Sequence, residues 1–480
     1  MIDVLLGTLH LSPKGDETLM RQLTDQLRAL ITGGRLTPGQ RLPSSRRLAR
    51  SLNVSRNTVS FAIEQLTAEG YVSTQPGRRP VVTSGLSLAA KRPQPTRSDR
   101  IDSRLRVSPW ARGLHLANWP PSYQGRPRPF QPGLADEREF PHDIWGRCLR
   151  RAAGNVLLRA DRSRNHPALQ EALLQHLVEH RGIKAKPDQV VIVPSAQSGI
   201  ALISKVMISP GDLAWIESPG YGGAYAALQA AGASVAGMPV DDCGMPVSGR
   251  EHAPRLIFVT PSHQYPTGRL MPIGRRLELL RYAESVGACV IEDDYDGEFH
   301  YEARPVAALQ GLAPADRIFY LGTFSKSMFA DIRIGYVVVP EAVISTVELA
   351  QRHMGLLVAA AVQDAMAEFI AAGTYLAHVR RMTRLYKGRR DRMQHALISE
   401  AGDRLTIEVP AGGMQLVARC RASSNDRELA ARLLDAGVVS RALSGLFFHK
   451  TRERGLFLGF AAWNENEIDQ AARTLGRIVR

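Results

Sequence analysis

Residues 288–295, Ala-Cys-Val-Ile-Glu-Asp-Asp-Tyr, and residues 318–326, Ile-Phe-Tyr-Leu-Gly-Thr-Phe-Ser-Lys, share one pattern: a short apolar run that stops at a polar cluster. A run this short suits a strand buried on both faces better than a helix, which needs ten or more residues. The pattern recurs in both directions, at Val190–Val193, Leu213–Ile216, Leu256–Thr260 and Tyr336–Val339. Helical periodicity fills most of the gaps, for example over Gly199–Ile208, Tyr221–Ala231 and Gly274–Val286. Such alternation predicts an α/β domain whose sheet is mostly parallel and covered by helices on both faces.

The polar residues sit where the runs end. Ser195-Ala196-Gln197, Pro219-Gly220-Tyr221, the segment Pro261–Gly268, Glu292–Tyr295 and Gly322–Lys326 each follow one strand. Open α/β sheets bind ligands at the carboxyl ends of their strands, so five such segments line one crevice. Together they hold the chemistry that pyridoxal 5'-phosphate (PLP) requires. Lys326 is the amine for a Schiff base with the aldehyde. A carboxylate must keep the pyridine nitrogen protonated so that the ring draws electrons, and Asp293 suits this better than Asp294. Tyr221, after a Pro-Gly turn, offers a ring to stack on the pyridine. Ser195, Ala196 and Gln197 offer a helix N-terminus to the phosphate, and Arg333 a bidentate charge. Tyr265 and Tyr295 can bond the phenolic oxygen, and Thr323 and Ser325 flank the lysine. His263 is a candidate for the cofactor, with a structural role as the alternative.

The first part of the chain reads differently. Leu19, Leu23, Leu27, Leu30 and Ile31 mark one helical face, with Asp16 as its cap and Gly33-Gly34 as its stop. A short helix follows Leu42-Pro43-Ser44, and after Asn53-Val54 a further one starts at the Ser55 cap and runs to about Glu69. Tyr71-Val72-Ser73 and Val81-Val82-Thr83 then flank a Gln75–Arg78 turn. Helix, turn, helix and hairpin describe a winged helix-turn-helix, whose second helix enters the major groove. Arg56 and Asn57 at its start, Thr58 and Ser44 as phosphate donors, Arg46 on the supporting helix and Gly77-Arg78 at the wing tip are the candidate DNA contacts.

Length and charge fit this division. At 480 residues the chain exceeds one ordinary domain. Its formal charge is +15, and residues 1–112 carry 18 Lys and Arg against 8 Asp and Glu, an excess suited to an anionic polymer. Residues 84–112, with Lys91-Arg92-Pro93-Gln94-Pro95, predict an extended basic tether between a DNA-binding domain (1–83) and an effector domain (113–480). Cys148, Cys243, Cys289 and Cys420 are too scattered for a zinc site or a disulfide framework, so no metal is expected. No apolar run is long enough to span a bilayer and no signal peptide is evident, which predicts a cytoplasmic protein without a membrane partner.

Leu42-Pro43-Ser44-Ser45-Arg46, followed by Val54-Ser55-Arg56-Asn57-Thr58-Val59, resembles the DNA-binding domain of GntR regulators. By that resemblance Arg46, Arg56, Thr58 and Gly77 fall on DNA-contacting positions. The runs Thr260–Gly268, Ile291–Phe299 and Gly322–Lys326 resemble fold-type I aminotransferases, and the whole chain resembles the MocR (GabR-like) subfamily of GntR regulators. The resemblance implies a fold-type I domain with a smaller C-terminal α+β subdomain and a head-to-tail homodimer on double-stranded promoter DNA. It also implies an effector that is PLP itself or a small amine.

Three departures bear on activity. Where these aminotransferases carry an arginine for the substrate carboxylate, Gly455–Phe460 places Phe457, with Arg452 and Arg454 as nearby substitutes. The segment Ala160–Asn165 replaces the usual Tyr-Gly-Asp-Pro-x-Gly run. Tyr265 stands where an asparagine often abuts the cofactor. These changes favour a transcription regulator that uses the aminotransferase-like domain as a sensor, at most performing a half-reaction. The alternatives are an active aminotransferase with an autoregulatory DNA-binding domain, and a DNA-binding protein with a degenerate cofactor site.

Overall fold

The computed structural model describes residues 8–13, 17–83, 108–114, 126–155, 165–247, 252–302, 307–312, 315–421 and 424–479. It divides into two compact units, Met1–Arg106 and Val107–Arg480.

The smaller unit contains helices α1 (Leu19–Thr32), α2 (Ser45–Leu52) and α3 (Arg56–Ala68), then strands β1 (Val72–Ser73) and β2 (Val81–Val82), paired antiparallel. The apolar spacing of each helix aims one stripe inward. Leu23 and Leu27 of α1, Leu48 of α2 and Val59, Ile63 and Leu66 of α3 are buried together with Val72 and Val82 of the hairpin. Each helix start is fixed by a side chain that accepts an otherwise orphaned amide. Ser44 caps α2, Ser55 caps α3, and α1 is capped by Thr18. The expected Asp16 cap is therefore two residues too early, and Asp16 itself lies outside the described residues. Asn53 closes α2 at φ +52°, a left-handed conformation that Asn tolerates better than most residues.

The larger unit is built on a seven-stranded sheet. In chain order its strands are β3 (Val190–Val193), β4 (Leu213–Ser218), β5 (Ser234–Pro239), β6 (Leu256–Val259), β7 (Cys289–Asp293), β8 (Ile318–Thr323) and β9 (Gly335–Val338). The spatial order is β3-β9-β8-β7-β6-β4-β5, with β9 antiparallel to both its neighbours and the other pairs parallel. Every residue of β3, β6, β7 and β9 is buried, as helices on both faces require. The edge strand β5 escapes a search for apolar runs because its sequence, Ser-Val-Ala-Gly-Met-Pro, is broken and half-exposed.

A second, antiparallel sheet follows, with β10 (Leu405–Glu408), β11 (Gln415–Cys420), β12 (Arg441–Ala442) and β13 (Gly455–Gly459) in the order β10-β11-β13-β12. Helices Thr374–Ala401 and Glu465–Val479 cover it, and their apolar faces share a core with Leu416, Leu456 and Leu458. This is the smaller α+β part of the unit.

The expected tether needs one correction. Residues 84–107 lie outside the described residues, but Pro109–Gly113 is a helix, not extended chain. Ser108 caps it and Pro109 occupies the first turn, where a missing N–H costs nothing. The Trp110 indole Nε1–H donates to the Ala226 carbonyl at 3.0 Å, on helix Gly222–Ala231.

Candidate cofactor site and nucleic-acid interface

The carboxyl ends of β4, β6, β7 and β8 converge with the second sheet on a cavity of about 200 Å³. It is lined by Gln131, Pro132, Gly133, Ala196, Tyr221, Thr260, Tyr265, Asp293, Tyr295, Thr323, Lys326, Gln415, Arg441 and Phe457. Seven residues expected at a cofactor site thus meet in one place: Ala196, Tyr221, Tyr265, Asp293, Tyr295, Thr323 and Lys326.

Asp293 ends β7 and is 4% exposed, and its Oδ1 has no hydrogen-bond partner among the described residues. Burial, with the charges of Asp294 and Asp296 added to it, pushes its carboxyl up to about 8. Asp294, one residue on, turns the other way. It is ion-paired to Arg181 at 2.6 Å and accepts from the Tyr320 hydroxyl at 2.6 Å. Burial alone would raise its pKa, yet Arg181 and Tyr320 hold it below the usual carboxylate range. The two neighbouring carboxyls thus differ in what they face: Asp294 is held by Arg181 and Tyr320, while Asp293 lines the cavity.

Lys326 Nζ donates to the Gly133 carbonyl at 2.6 Å, and burial pulls its pKa down toward the neutral amine. Gly133 has φ +78°, and a Cβ there would lie 3.0 Å from that Nζ. The aromatic wall is continuous: Tyr265 lies edge-on to Tyr221, Tyr295 and Phe457, with ring centroids 5.7, 5.9 and 5.3 Å away. Tyr221 precedes helix Gly222–Ala231, and a side chain on Gly223 would come within 2.6 Å of its ring.

Five expected cofactor residues do not line the cavity. Ser195 spends its hydroxyl capping helix Ala196–Met207, accepting from the Ser198 amide at 3.1 Å. Gln197 Nε2 donates to the Gly223 carbonyl at 2.9 Å. Ser325 follows the strand end, its amide donating to Thr323 Oγ1 at 3.2 Å. Arg333 is exposed, at φ +52° after the turn Ala330–Ile332. His263 is 3% exposed, and its Nδ1–H donates to Asp296 at 2.8 Å.

On the smaller unit, Arg56 and Asn57 are exposed at the start of α3, and Arg46 is exposed on α2. Thr58 is partly buried, and its Oγ1 shares a hydrogen bond of 2.8 Å with the capping Ser55 hydroxyl. Ser44 is exposed but accepts from the Arg47 amide as the α2 cap. At the hairpin tip Gly77 adopts φ +75°, and exposed Arg78 donates to Gln75 at 3.1 Å. A helix start and a wing tip thus present cations to solvent, as groove recognition requires.

Residues 19–82 match the family described as bacterial regulatory proteins of the gntR family, and residues 136–475 match aminotransferase class I and II. Over 97% of its length the chain is 35% identical to a protein of Rhizobium meliloti, the probable rhizopine catabolism regulatory protein MocR, covering 95% of that relative. The chain belongs to the MocR-type GntR regulators. Other relatives are the transcriptional regulator TauR of Rhodobacter capsulatus, 32% identical with 98% and 99% of the two chains covered, and the pyridoxine biosynthesis regulator PdxR of Corynebacterium glutamicum, 30% identical with 96% of each covered. Among solved structures, Pyrococcus horikoshii kynurenine aminotransferase superposes with a TM-score of 0.68 at 24% identity, covering 78% of this chain and 95% of that one. That likeness establishes the fold of the larger unit.

The residues present fit PLP, the cofactor of the family's aminotransferase half. A buried carboxyl without a partner awaits a basic ring nitrogen, a lysine of lowered pKa stands across the same cavity, and tyrosine rings wall it. In this MocR-type chain Phe457 lines the cavity, and neither Arg452 nor Arg454 reaches it; Arg454 donates to the Thr451 and Glu453 carbonyls. The cavity's arginine is Arg441, which the sequence reading missed along with Gln415, Thr260 and Gln131–Gly133. Only the Pro132-Gly133 pair carried a local turn signal. The segment replacing the Tyr-Gly-Asp-Pro-x-Gly run lies outside the described residues except Asn165, which accepts from the Ile192 amide at 2.8 Å. Among the described residues no helix is long and apolar enough to cross a membrane, and no His, Cys, Asp and Glu cluster suits a metal.

Proposed function

We propose that this chain binds promoter DNA through Leu19–Val82 and senses PLP, or a small amine taken up beside it, in the cavity around Lys326. The observation that carries the reading is the coexistence of an exposed cationic recognition-helix start with a cavity that pairs Lys326 with an unpartnered Asp293. Bound PLP supplies an aldehyde for amines and a ring that draws electrons from the attached carbon. The protein's own part is positional and electrostatic. Lys326 offers an amine whose neutral form burial favours. Asp293 holds a proton that it can share with a basic ring nitrogen. The four aromatic side chains exclude water. Arg56, Asn57, Arg46, Thr58, Ser44, Gly77 and Arg78 form the DNA-facing set. The module is proposed to act in a cytoplasmic head-to-tail homodimer, the arrangement that sets two recognition helices on two half-sites.

A sensing role rather than turnover is supported by the relatives named as regulators and by Phe457 in the cavity wall. The test is the visible absorption spectrum of the full chain with and without added PLP, beside Lys326→Ala, together with a gel-shift assay on DNA upstream of its own and neighbouring genes. A band that requires Lys326 and a PLP-dependent change in DNA retention are expected. Retention of no upstream DNA would overturn the regulator reading, and sustained turnover of an amino donor with a keto acid would make the chain an aminotransferase.

A further inference from the structure

The recognition helix carries one side chain that the DNA-facing set above does not include. Phe61 of α3 is 57% exposed, and no large apolar side chain among the described residues is more exposed. The core face of α3 is set by Val59, Ala62, Ile63 and Leu66, all buried. At about 100° of turn per residue, Phe61 lies within about 30° of the direction opposite the mean of those four. Asn57, four residues before it, and Glu64, three residues after it, are exposed neighbours on the same side. These three make the ridge of α3 that points away from the core, the side a recognition helix turns into the groove.

Charge separates this ridge from its surroundings. Residues 19–82 hold ten arginines and no lysine against three acidic residues. Two of those acids, Asp25 and Glu69, are ion-paired to Arg28, and the third, Glu64, is on the ridge. A ridge that faced phosphates would carry cations. This one carries an amide, a phenyl ring and a carboxylate, while the exposed cations stand off it, at Arg56 on the first turn and Arg46 on α2. Phosphate contacts position a protein and base contacts specify the sequence, and the ridge has the chemistry of the second kind. Among major-groove base edges the apolar group is the thymine C5-methyl, which a Phe ring can contact, and an Asn amide matches adenine N6 and N7.

We infer that Phe61 is a specificity-determining residue that packs on the C5-methyl of an operator thymine. Side chains four apart on a helix are about 5–6 Å from one another and stacked base pairs about 3.4 Å, so this thymine lies one or two steps from the base pair that Asn57 meets. The inference rests on the reading that Leu19–Val82 binds promoter DNA through α3.

Uracil supplies the test, because it pairs with adenine as thymine does and lacks only the methyl group. DNA upstream of the chain's own and neighbouring genes is amplified once with thymidine triphosphate and once with deoxyuridine triphosphate. Fluorescence anisotropy at one fixed salt concentration then compares the two fragments on the full chain. The natural chain should bind the uracil fragment about fourfold or more weakly, the factor that burial of one methyl group implies. Phe61→Ala should bind the thymine fragment more weakly and bring the ratio of the two affinities close to one, and Phe61→Leu should keep part of it. Any effect of uracil on duplex shape is common to all the variants, so the change in the ratio isolates the contact of ring and methyl. Phe61 is outside the core, and circular dichroism of each variant should match that of the natural chain. Equal affinity of the natural chain for both fragments overturns the inference, and so does a ratio that survives Phe61→Ala. In both cases retention of the thymine fragment leaves the regulator reading intact, whereas retention of neither fragment removes both.

Discussion

Replacing Asp293 by Asn tests the electrostatics of the site directly. In the folded chain without cofactor, burial and the charges of Asp294 and Asp296 raise this carboxyl from 3.8 to about 8. The folded state therefore keeps a proton that the unfolded state has already released. Between about pH 4 and pH 8 stability falls as pH rises, with a slope of about 1.4 kcal/mol per pH unit for one group. Asn cannot titrate, so Asp293→Asn removes this slope. From pH 5 to pH 7 the variant should gain roughly 3 kcal/mol on the natural protein in urea unfolding of the cofactor-free chain. Added PLP should reverse the order, because only the carboxylate can pair with a protonated ring nitrogen, and the variant should lose the larger share of its visible band. A stability difference that stays flat from pH 5 to pH 7 would refute the claim that Asp293 is a buried, proton-holding acid.

Three further outcomes follow from the packing and the interface. Leu66→Ala empties a fully buried position of the small core and should cost about 2–5 kcal/mol; circular dichroism should show the loss, and DNA binding should vanish while the PLP band persists, because the two units are separately compact. Arg56→Ala removes an exposed cation from the start of α3 and should lower affinity for a specific site by about tenfold in fluorescence anisotropy; a change under about twofold would place the contact elsewhere. Gly133→Ala meets both the left-handed backbone and the Lys326 amine 3.0 Å away, so a strain of roughly 1–3 kcal/mol should appear as a lower melting temperature and weaker retention of PLP.

The sequence disclosed most where burial is uniform. A strand covered on both faces must be apolar throughout, so Val190–Val193 was read to the residue. The Asp293 and Asp294 pair was legible as chemistry, and the two differ in what they face: Arg181 and Tyr320 hold the second, while the first lines the cavity. Two things were hidden. The edge strand Ser234–Pro239 carries Gly and Pro, and half-exposed positions there are free to depart from any pattern. The second sheet brings its residues to the cavity by cross-strand pairing, which leaves no local trace: Arg452 and Arg454 are near Phe457 in sequence, but Arg441 is near it in space. Capping showed the same limit, since Asp16 and Thr18 are both good caps by residue type and it is Thr18 that accepts the Arg21 amide.

The short helix Pro109–Gly113 has a practical consequence. Trp110 is 42% exposed, whereas Trp145, Trp215 and Trp463 are at most 6% exposed. Its indole N–H is bound to a carbonyl on the helix that Tyr221 begins. An indole so placed is an emission probe supplied by the fold, responsive to its hydrogen bond and to solvent, and one helix removed from the cavity wall. Among the described residues the other indoles are deeply buried, so a change in emission on ligand binding that is lost in Trp110→Phe would report on that wall without an attached dye.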